Sequence, residues 1–589
     1  MEQLTPIIIF AIVGFTVIGL ITFLSNNQSL NGIKNKVVGD GQHGTAKFAN
    51  EKEIKEVYKI IDYTPDLWRE GKNLPTVEGL IVGSKTIKNK TKAIVDSGDI
   101  HALMIGAAGV GKTAYFLYPN IEYCLACGMS FMTTDTKGDI MRNYGNIAKK
   151  YYNYNLLIID LRNPTKSDSY NLLHLVNKYM DLWKENIENV SYKAKAEKYA
   201  KIVAKTIVNS GSEEKDRGQN AFFYDSAEGL ITATILLLAE FCEKEERHIV
   251  SVYKLIQELL EQSEDKKDKG KNQFQLLIQK LPETHKARWF AGSSLNTAGE
   301  TMMAVISTAL SKLNTFLDSE MESMLCVEKS SIDTEKFCKE KTGVFVVLPE
   351  EDNTKYFMAS LIIQQMYREI LTVADEMGGK LNKRVMFYLD EIGTIPKIDS
   401  LEMMYSAIRS RKVSIVGIIQ SFAQLNKNYG KEGAEIIVDN SQVTIFGGFA
   451  PNSESAEVLS KSLGEQTVLS GSVSKGKNEG SKTLQMMNRA LMTPDELKSL
   501  KKGNFIVTKT GANPMKSKLK LFFEWGIKFE EEFYMEENKN IEIKYASKEK
   551  LVKLVEEKYN KSKNLETIKK LQKLMESDTN SSIKKPKVD

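Results

Sequence analysis

Eight consecutive residues, Gly106-Ala107-Ala108-Gly109-Val110-Gly111-Lys112-Thr113, satisfy GxxxxGK[ST] at every fixed position. The chemistry this spacing suits is capture of a nucleoside triphosphate. Glycines let backbone N–H groups close around phosphates, and the start of a following helix adds a favourable dipole. Lys112 would reach the β- and γ-phosphates, and the Thr113 hydroxyl would ligate Mg2+. A second candidate pair, Asp390-Glu391, closes the apolar run Val385–Leu389 (VMFYL). A buried strand ending this way carries two carboxylates to the carboxyl edge of a sheet, where a phosphate loop also lies. Asp390 would hold Mg2+ and its water shell, while Glu391 would polarise the attacking water. Either motif alone has a bland reading, a glycine turn or a strand end with two solvated acids. Together they predict an NTPase using ATP and Mg2+.

Phosphoryl transfer consists mainly of positioning and charge neutralisation, so a further cation and a γ-phosphate sensor are expected. Only 11 of the 81 basic residues are arginine, which makes each one worth inspecting. Arg409 and Arg411 lie 18 and 20 residues after Glu391, and either could reach a neighbouring subunit's nucleotide as an arginine finger. The alternative is pairing with acids of their own chain. Gln420 ends the apolar run Ser414–Ile419 and would read the γ-phosphate or merely cap its strand. Cys124 and Cys127 form a C-x-x-C with no second Cys or His pair nearby, so small core residues are the better reading. His101 and Asp99 read as structural, with a place near the adenine also open.

The elements that must position these groups alternate between short apolar runs and helical patterns, as in a parallel α/β sheet. Expected strands are His101–Ile105, Ser130–Thr134, Leu156–Asp160, Val344–Leu348, Val385–Leu389, Ser414–Ile419, Val443–Phe446 and Phe505–Thr508. Between about Asp181 and Thr297 strand signals stop and helices dominate, including Phe222–Cys242 and Ile249–Leu260, so an all-helical insertion is expected. Glu261–Asn272 and Ser470–Lys482 read as an exposed charged loop and a flexible Gly/Ser/Lys loop. Residues 541–589 hold 13 Lys and 8 acids, with apolar positions at helical spacing, and read as a mobile tail with short amphipathic helices.

Ahead of all this, Ile7–Leu24 is an 18-residue run without a charge, about 27 Å long as a helix at 1.5 Å per residue. The first four residues lack the basic n-region of a signal peptide. Lys34 and Lys36 follow the run, so the positive-inside rule predicts a single-pass anchor in the cytoplasmic membrane with the bulk of the chain in the cytoplasm. Five cysteines in 589 residues exclude a disulfide scaffold, and 42% hydrophobic residues exclude wholesale disorder. A net charge of +5 is too small to argue nucleic-acid binding in bulk; such binding would need local patches.

The order of motifs resembles the type IV coupling proteins of conjugation and type IV secretion, the TraG/TraD family. Gly44-Thr-Ala-Lys-Phe-Ala49 resembles the family's segment after the membrane anchor, and Tyr118-Pro-Asn120 and Thr134-Asp-Thr-Lys-Gly-Asp139 resemble segments that follow the phosphate loop. Leu389-Asp-Glu391, the Arg409/Arg411 stretch, Gln420-Ser421 and Arg489-Ala-Leu-Met-Thr-Pro494-Asp-Glu-Leu resemble later ones. The resemblance implies a RecA-like P-loop motor with an inserted all-α domain, hexameric, at the inner end of a secretion channel. It implies partners too: relaxase-bound DNA, single- or double-stranded, and the channel proteins. Many relatives carry two membrane helices where this chain has one such run, as in some Gram-positive members. The expected division is an anchor (1–25), a juxtamembrane linker and start of the motor (26–85), a first nucleotide-binding part (86–180), the all-α domain (181–297), a second nucleotide-binding part (298–536) and a Lys-rich tail (537–589). Competing readings are an ATP-switched receptor for protein cargo and an FtsK-like DNA pump outside conjugation.

Overall fold

The strands that position the candidate site are short and apolar enough to be buried on both faces, which is what a sheet covered by helices demands. The computed structural model describes residues 14–17, 37 and 41–559, apart from 38–40 and short internal segments at 89, 210–217, 264–267, 269, 296–298, 332, 351–354, 396, 399, 476–479 and 538–541. Most of the apolar run 7–24 lies outside the described residues; Gly14–Val17 are helical.

Three strands come first. β1 (Lys59–Asp62), β2 (Leu80–Ile87) and β3 (Lys90–Asp96) pair antiparallel in the order β1-β3-β2. This small sheet begins within the range 26–85 expected to hold the linker and the start of the motor and runs past its end. Next come β4 (Ala102–Ile105), β5 (Ser130–Asp135), β6 (Asn155–Asp160), β7 (Thr342–Val347), β8 (Val385–Leu389), β9 (Val413–Ile419) and β10 (Val443–Phe446). The last are β11 (Glu465–Lys475), β12 (Gly480–Ala490), β13 (Asn504–Lys509) and β14 (Ala512–Lys518). Among the described residues the central sheet has nine strands in the order β14-β13-β10-β4-β9-β8-β5-β7-β6.

Seven of these strands, β10 through β6 in that order, run parallel. The run Phe505–Thr508, expected among parallel strands, lies in β13 and is antiparallel to β10. Its register sets Ile506 opposite Phe446, so the chain re-enters the sheet at the edge where β10 leaves it and must reverse. The Ser470–Lys482 stretch read as a loop contributes to both arms of a hairpin, with β11 and β12 paired from Glu465–Ala490 to Lys475–Gly480. Its Gly and Ser weaken strand propensity without preventing backbone pairing.

Side chains alternate across the sheet, as a two-residue period requires. Leu103 and Ile105 of β4 join the core on one face, Ala102 and Met104 the core on the other. The second core holds the helices Tyr118–Cys127 and Asp139–Tyr152 and the small sheet. Buried Asn120 joins the small sheet to the site: its Oδ1 accepts from Ile81 N at 2.8 Å, and its Nδ2 donates to the carbonyls of Phe116 and Ile81. A buried ion pair between Arg69 and Glu122 (2.7 Å) reinforces this junction.

The first core is continuous with the helices that separate β6 from β7. These helices begin at His174 and end at Lys339, beyond the expected range on both sides. The late ones are short and capped: Asp318 accepts from Glu320 and Met321 N–H groups, and Asp333 from those of Glu335 and Lys336. The helix Ala221–Phe241 is long and apolar enough to cross a bilayer, yet most of it is buried among its neighbours.

The first part of the expected mobile tail is docked rather than mobile. Residues 548–559 are helical and dock on the inserted helices, burying Leu551 and Val555 completely. Lys550 pairs with Glu243 and Glu246, Lys280 with Glu556 and Lys558 with Glu240. Burial alone would push the Glu240 carboxyl up, but the hydrogen bond from His285 and the charges of His285 and Lys558 outweigh it and hold it at about 2. Residues 560–589, with the later half of the expected tail helices, lie outside the described residues. At the other end, Gly44-Thr-Ala46 is laid along β11: Ala46 N donates to Glu465 O and Thr467 N to Gly44 O, while Ala49 N donates to Pro514 O in β14.

Leu551→Ala should weaken the docking of the last helix by about 2–5 kcal/mol, the usual range for a fully buried leucine. Hydrogen exchange should then accelerate across residues 546–559 while β4 to β9 keep their protection.

Candidate active site

The phosphate loop joins β4 to a helical stretch that begins as a π-turn, Thr113–Leu117, and continues as Tyr118–Cys127. Gly109 and Gly111 have φ of 76° and 83°, where a side chain is strained. Gly106 answers a different demand: a Cβ there would lie 2.4 Å from the Gly447 carbonyl oxygen. Ala107 N donates to Gly448 O, and Gly106 N to Ile419 O, so the loop is held by the ends of β10 and β9.

β9 lies between β4 and β8, which places Gln420 between the phosphate loop and the Asp390-Glu391 pair. Gln420 Nε2 donates to both Glu391 carboxylate oxygens, at 3.3 and 3.2 Å. Lys112 is buried; its Nζ donates to Gly106 O at 2.9 Å and stands 4.0 Å from Glu391 Oε1. Glu391 has φ of 53°, left-handed for a residue with a Cβ, a conformation costing about 1–3 kcal/mol that its surroundings must hold. Asp390 is buried; its side chain accepts from Glu391 N, and its carbonyl accepts from the Thr134 hydroxyl.

The charges are crowded. Burial, then the neighbouring Glu391 carboxylate, and to a lesser degree Asp135, push Asp390 up to about 7 against the opposing pull of Lys112. Burial also lowers Lys112, with Glu391 and Asp390 resisting and Lys137 adding repulsion. Asp135 is likewise raised to about 7 by burial, although Met141 N and Gly138 N donate to it. Buried carboxylates at this density, beside a lysine whose close partner is a neutral carbonyl, form a donor set that fits a divalent cation and a polyphosphate. Space is available as well: a Cβ on Gly109 would meet nothing within 4 Å.

The structure thus brings together Gly106 to Thr113, Lys112, Asp390, Glu391 and Gln420. It does not bring in Arg409 and Arg411, which form a turn entering β9 at its opposite end. A seven-residue strand separates them from Gln420, about 20 Å. Arg411 pairs with Asp375 of its own chain at 3.3 Å, while the exposed Arg409 has no ion pair among the described residues. His101 lies at the same far edge, buried and lowered to about 3 by desolvation and then by the Arg409 charge, with Nδ1 accepting from Ile415 N. Asp99 pairs with Arg384 and Lys380 there, so both residues are structural and far from the phosphate loop. Cys124 and Cys127 are buried core thiols, and among the described residues no cluster of three or more His, Cys, Asp or Glu side chains is placed to hold a metal ion without the oxygens of a nucleotide.

Residues of the motifs shared with the family also have structural roles. Thr493 and Glu496 form the capping box of the helix Pro494–Lys498, and Arg489 pairs with Glu496 at 2.6 Å. Asp135 in Thr134–Asp139 ties the start of the helix Asp139–Tyr152 to the carboxylate cluster. Its part in that cluster had no signal in spacing alone.

The family described as type IV secretory system conjugative DNA transfer matches residues 65–558. This chain belongs to that family. The type IV secretion system-coupling protein VirD4 of Bartonella henselae is 22% identical over 544 residues, spanning 89% of this chain and 79% of the relative. The same protein of Bartonella quintana aligns over 543 residues at 22% identity, with the same coverage of both chains. Among solved structures, the plasmid coupling protein TrwB in complex with the ATP analogue ADPNP superposes with a TM-score of 0.54 at 14% identity, covering 85% of this chain and all (100%) of that one. TrwB with ADP and Mg2+ superposes at 0.51 with 15% identity, again over 85% and 100%. The fold is that of a RecA-like P-loop NTPase carrying an all-α region, and the family match argues against the FtsK-like alternative.

Gly106→Ala should push the phosphate loop off the Gly447 carbonyl and weaken ATP binding by about tenfold or more, measured with a fluorescent nucleotide. Thermal stability should change little, because the clash is confined to the loop.

Proposed function

We propose that the protein is a membrane-anchored ATPase that couples relaxase-bound DNA to a type IV secretion channel. The observation that carries this is the convergence of Lys112, Asp390, Glu391 and Gln420 at one sheet edge, in a chain matched by the conjugative DNA transfer family over residues 65–558. The backbone of Gly106–Thr113 cradles the phosphates and Lys112 neutralises their charge. The Thr113 hydroxyl and Asp390 would hold Mg2+, which when bound supplies charge neutralisation and orients the phosphates. Glu391 orients the attacking water and receives its proton, and Gln420 holds the Glu391 carboxylate while facing the terminal phosphate. Arg409 completes a neighbouring copy's site in a homo-hexamer; Arg411, already paired to Asp375, anchors the turn. The apolar run Ile7–Leu24 fixes the chain in the cytoplasmic membrane as a single pass, with DNA, relaxase and channel proteins meeting the cytoplasmic part.

Lys112→Ala should abolish ATP binding. Glu391→Gln should keep binding and lose turnover by about a hundredfold or more. Robust hydrolysis by either variant would sink the assignment. Arg409→Ala should be inactive alone and regain activity in mixed oligomers with Lys112→Ala subunits; absence of rescue would refute a finger acting between subunits. DNA should stimulate hydrolysis, with the stimulation fading as salt rises.

A further inference from the structure

The left-handed Glu391 requires something that holds the turn after it. Thr394 N and Oγ1 both donate to Glu391 O at 2.8 Å, and Ile395 N donates there at 3.3 Å, so the carbonyl of Glu391 closes the turn. The remaining restraint comes from the helix Phe422–Asp439, which starts two residues after Gln420. Asn428 Nδ2 donates to Gly393 O at 2.9 Å and to Ile395 O at 2.8 Å, engaging both amide hydrogens. One turn earlier on the same face, Gln424 Oε1 accepts from the backbone N of Gln420 at 2.9 Å. The contact is close: a Cβ on Gly393 would lie 2.7 Å from Gln424 Cβ. In the next position the Tyr429 hydroxyl accepts from Ile398 N, fixing the far side of the same loop.

We infer that Asn428 and Gln424 are positioning residues that lock the Glu391 turn to Gln420, so that the carboxylate and its amide partner keep one mutual geometry. This rests on the reading of Glu391 as the residue that activates water. Asn428 touches neither nucleotide nor water in this role; it acts through the carbonyls of Gly393 and Ile395. Gln424 sets the backbone of Gln420, and the two ties share one helix, so a shift of that helix moves Glu391 and Gln420 together. The chemistry asks for an amide at 428 in particular. An aspartate of the same shape would place carboxylate oxygens against two carbonyl oxygens and drive the turn open, whereas alanine would only release it.

The test uses the full-length chain with Asn428→Ala, Asn428→Asp, Glu391→Gln and the double variant Glu391→Gln/Asn428→Ala. Asn428→Ala should lower kcat by roughly tenfold and Asn428→Asp by more, with KM for ATP and ADP affinity within about twofold of the parent. In the Glu391→Gln background, Asn428→Ala should lower the residual rate no further, because the group it positions is gone. An unchanged kcat in both Asn428 variants overturns the proposal, as does a loss of equal size with and without Glu391. A loss of kcat that tracks a fall in thermal midpoint and in ADP affinity overturns it too, by marking a structural role. If Glu391→Gln itself turns over at the parental rate, the underlying reading of Glu391 fails. If that variant is inactive and Asn428→Ala is not impaired, only the positioning role fails.

Discussion

Burying two carboxylates, Asp390 and Asp135, close to the half-buried Glu391 and the Lys112 ammonium is the condition on which this molecule turns. Asp390 and Glu391 stand beside Lys112 at the carboxyl edge of the central sheet with Asp135 next to Asp390; burial disfavours charge on Asp390 and Asp135, and Glu391 and Asp135 repel Asp390. Such a cluster does not stabilise a fold; it is tolerated because the strands carrying it are apolar and buried along their length. The sheet is the scaffold for an unfavourable arrangement, and its parallel strands deliver every member of the arrangement to one edge. Added positive charge is what that edge lacks.

Strand order gives the site its connectivity. β9 separates the phosphate-loop strand from the strand of Asp390 and Glu391, ends at Gln420, and begins after Arg409 and Arg411. One buried strand thus has the amide partner of Glu391 at one end and the arginine turn at the other. The helix that follows β9 returns over the Glu391 turn through Asn428. Displacing β9 along its length therefore alters both ends together, a consequence of close packing rather than of a dedicated relay.

Much of this was legible beforehand because it depends on local pattern. The run VMFYL is too apolar to lie anywhere but inside and LLIID is buried over its second half, and each lies in a strand of the sheet. The phosphate loop is fixed by glycine stereochemistry, which leaves its mark in spacing. What escaped depends on distant partners. β2 carries Lys85 and β3 Lys90 and Lys92, which blur the strand signal, while Asn120 and Ser517 hold β2 from afar. The last helix has readable periodicity, but nothing in its composition says that acids near residues 240–261 await its lysines. Asn428 and Gln424 look like any solvated helix face, and only the fold shows what they grip. The scarcity of arginine singled out Arg409 and Arg411, yet could not say that the strand would carry them to the edge opposite Lys112.

The way the chain enters the folded body also sets how force passes through it. Residues 44–49 are tied by backbone hydrogen bonds to β11 and to β14, the outermost strand of the central sheet. Ahead of them Val37 bridges Val468 of β11 and His43 N donates to the Thr467 hydroxyl, so a pull on the chain before Val37 meets β11 before it meets β14. Tension from the amino-terminal side is therefore taken up by the β11–β12 hairpin and by β14, five strands away from the strand that carries Asp390 and Glu391.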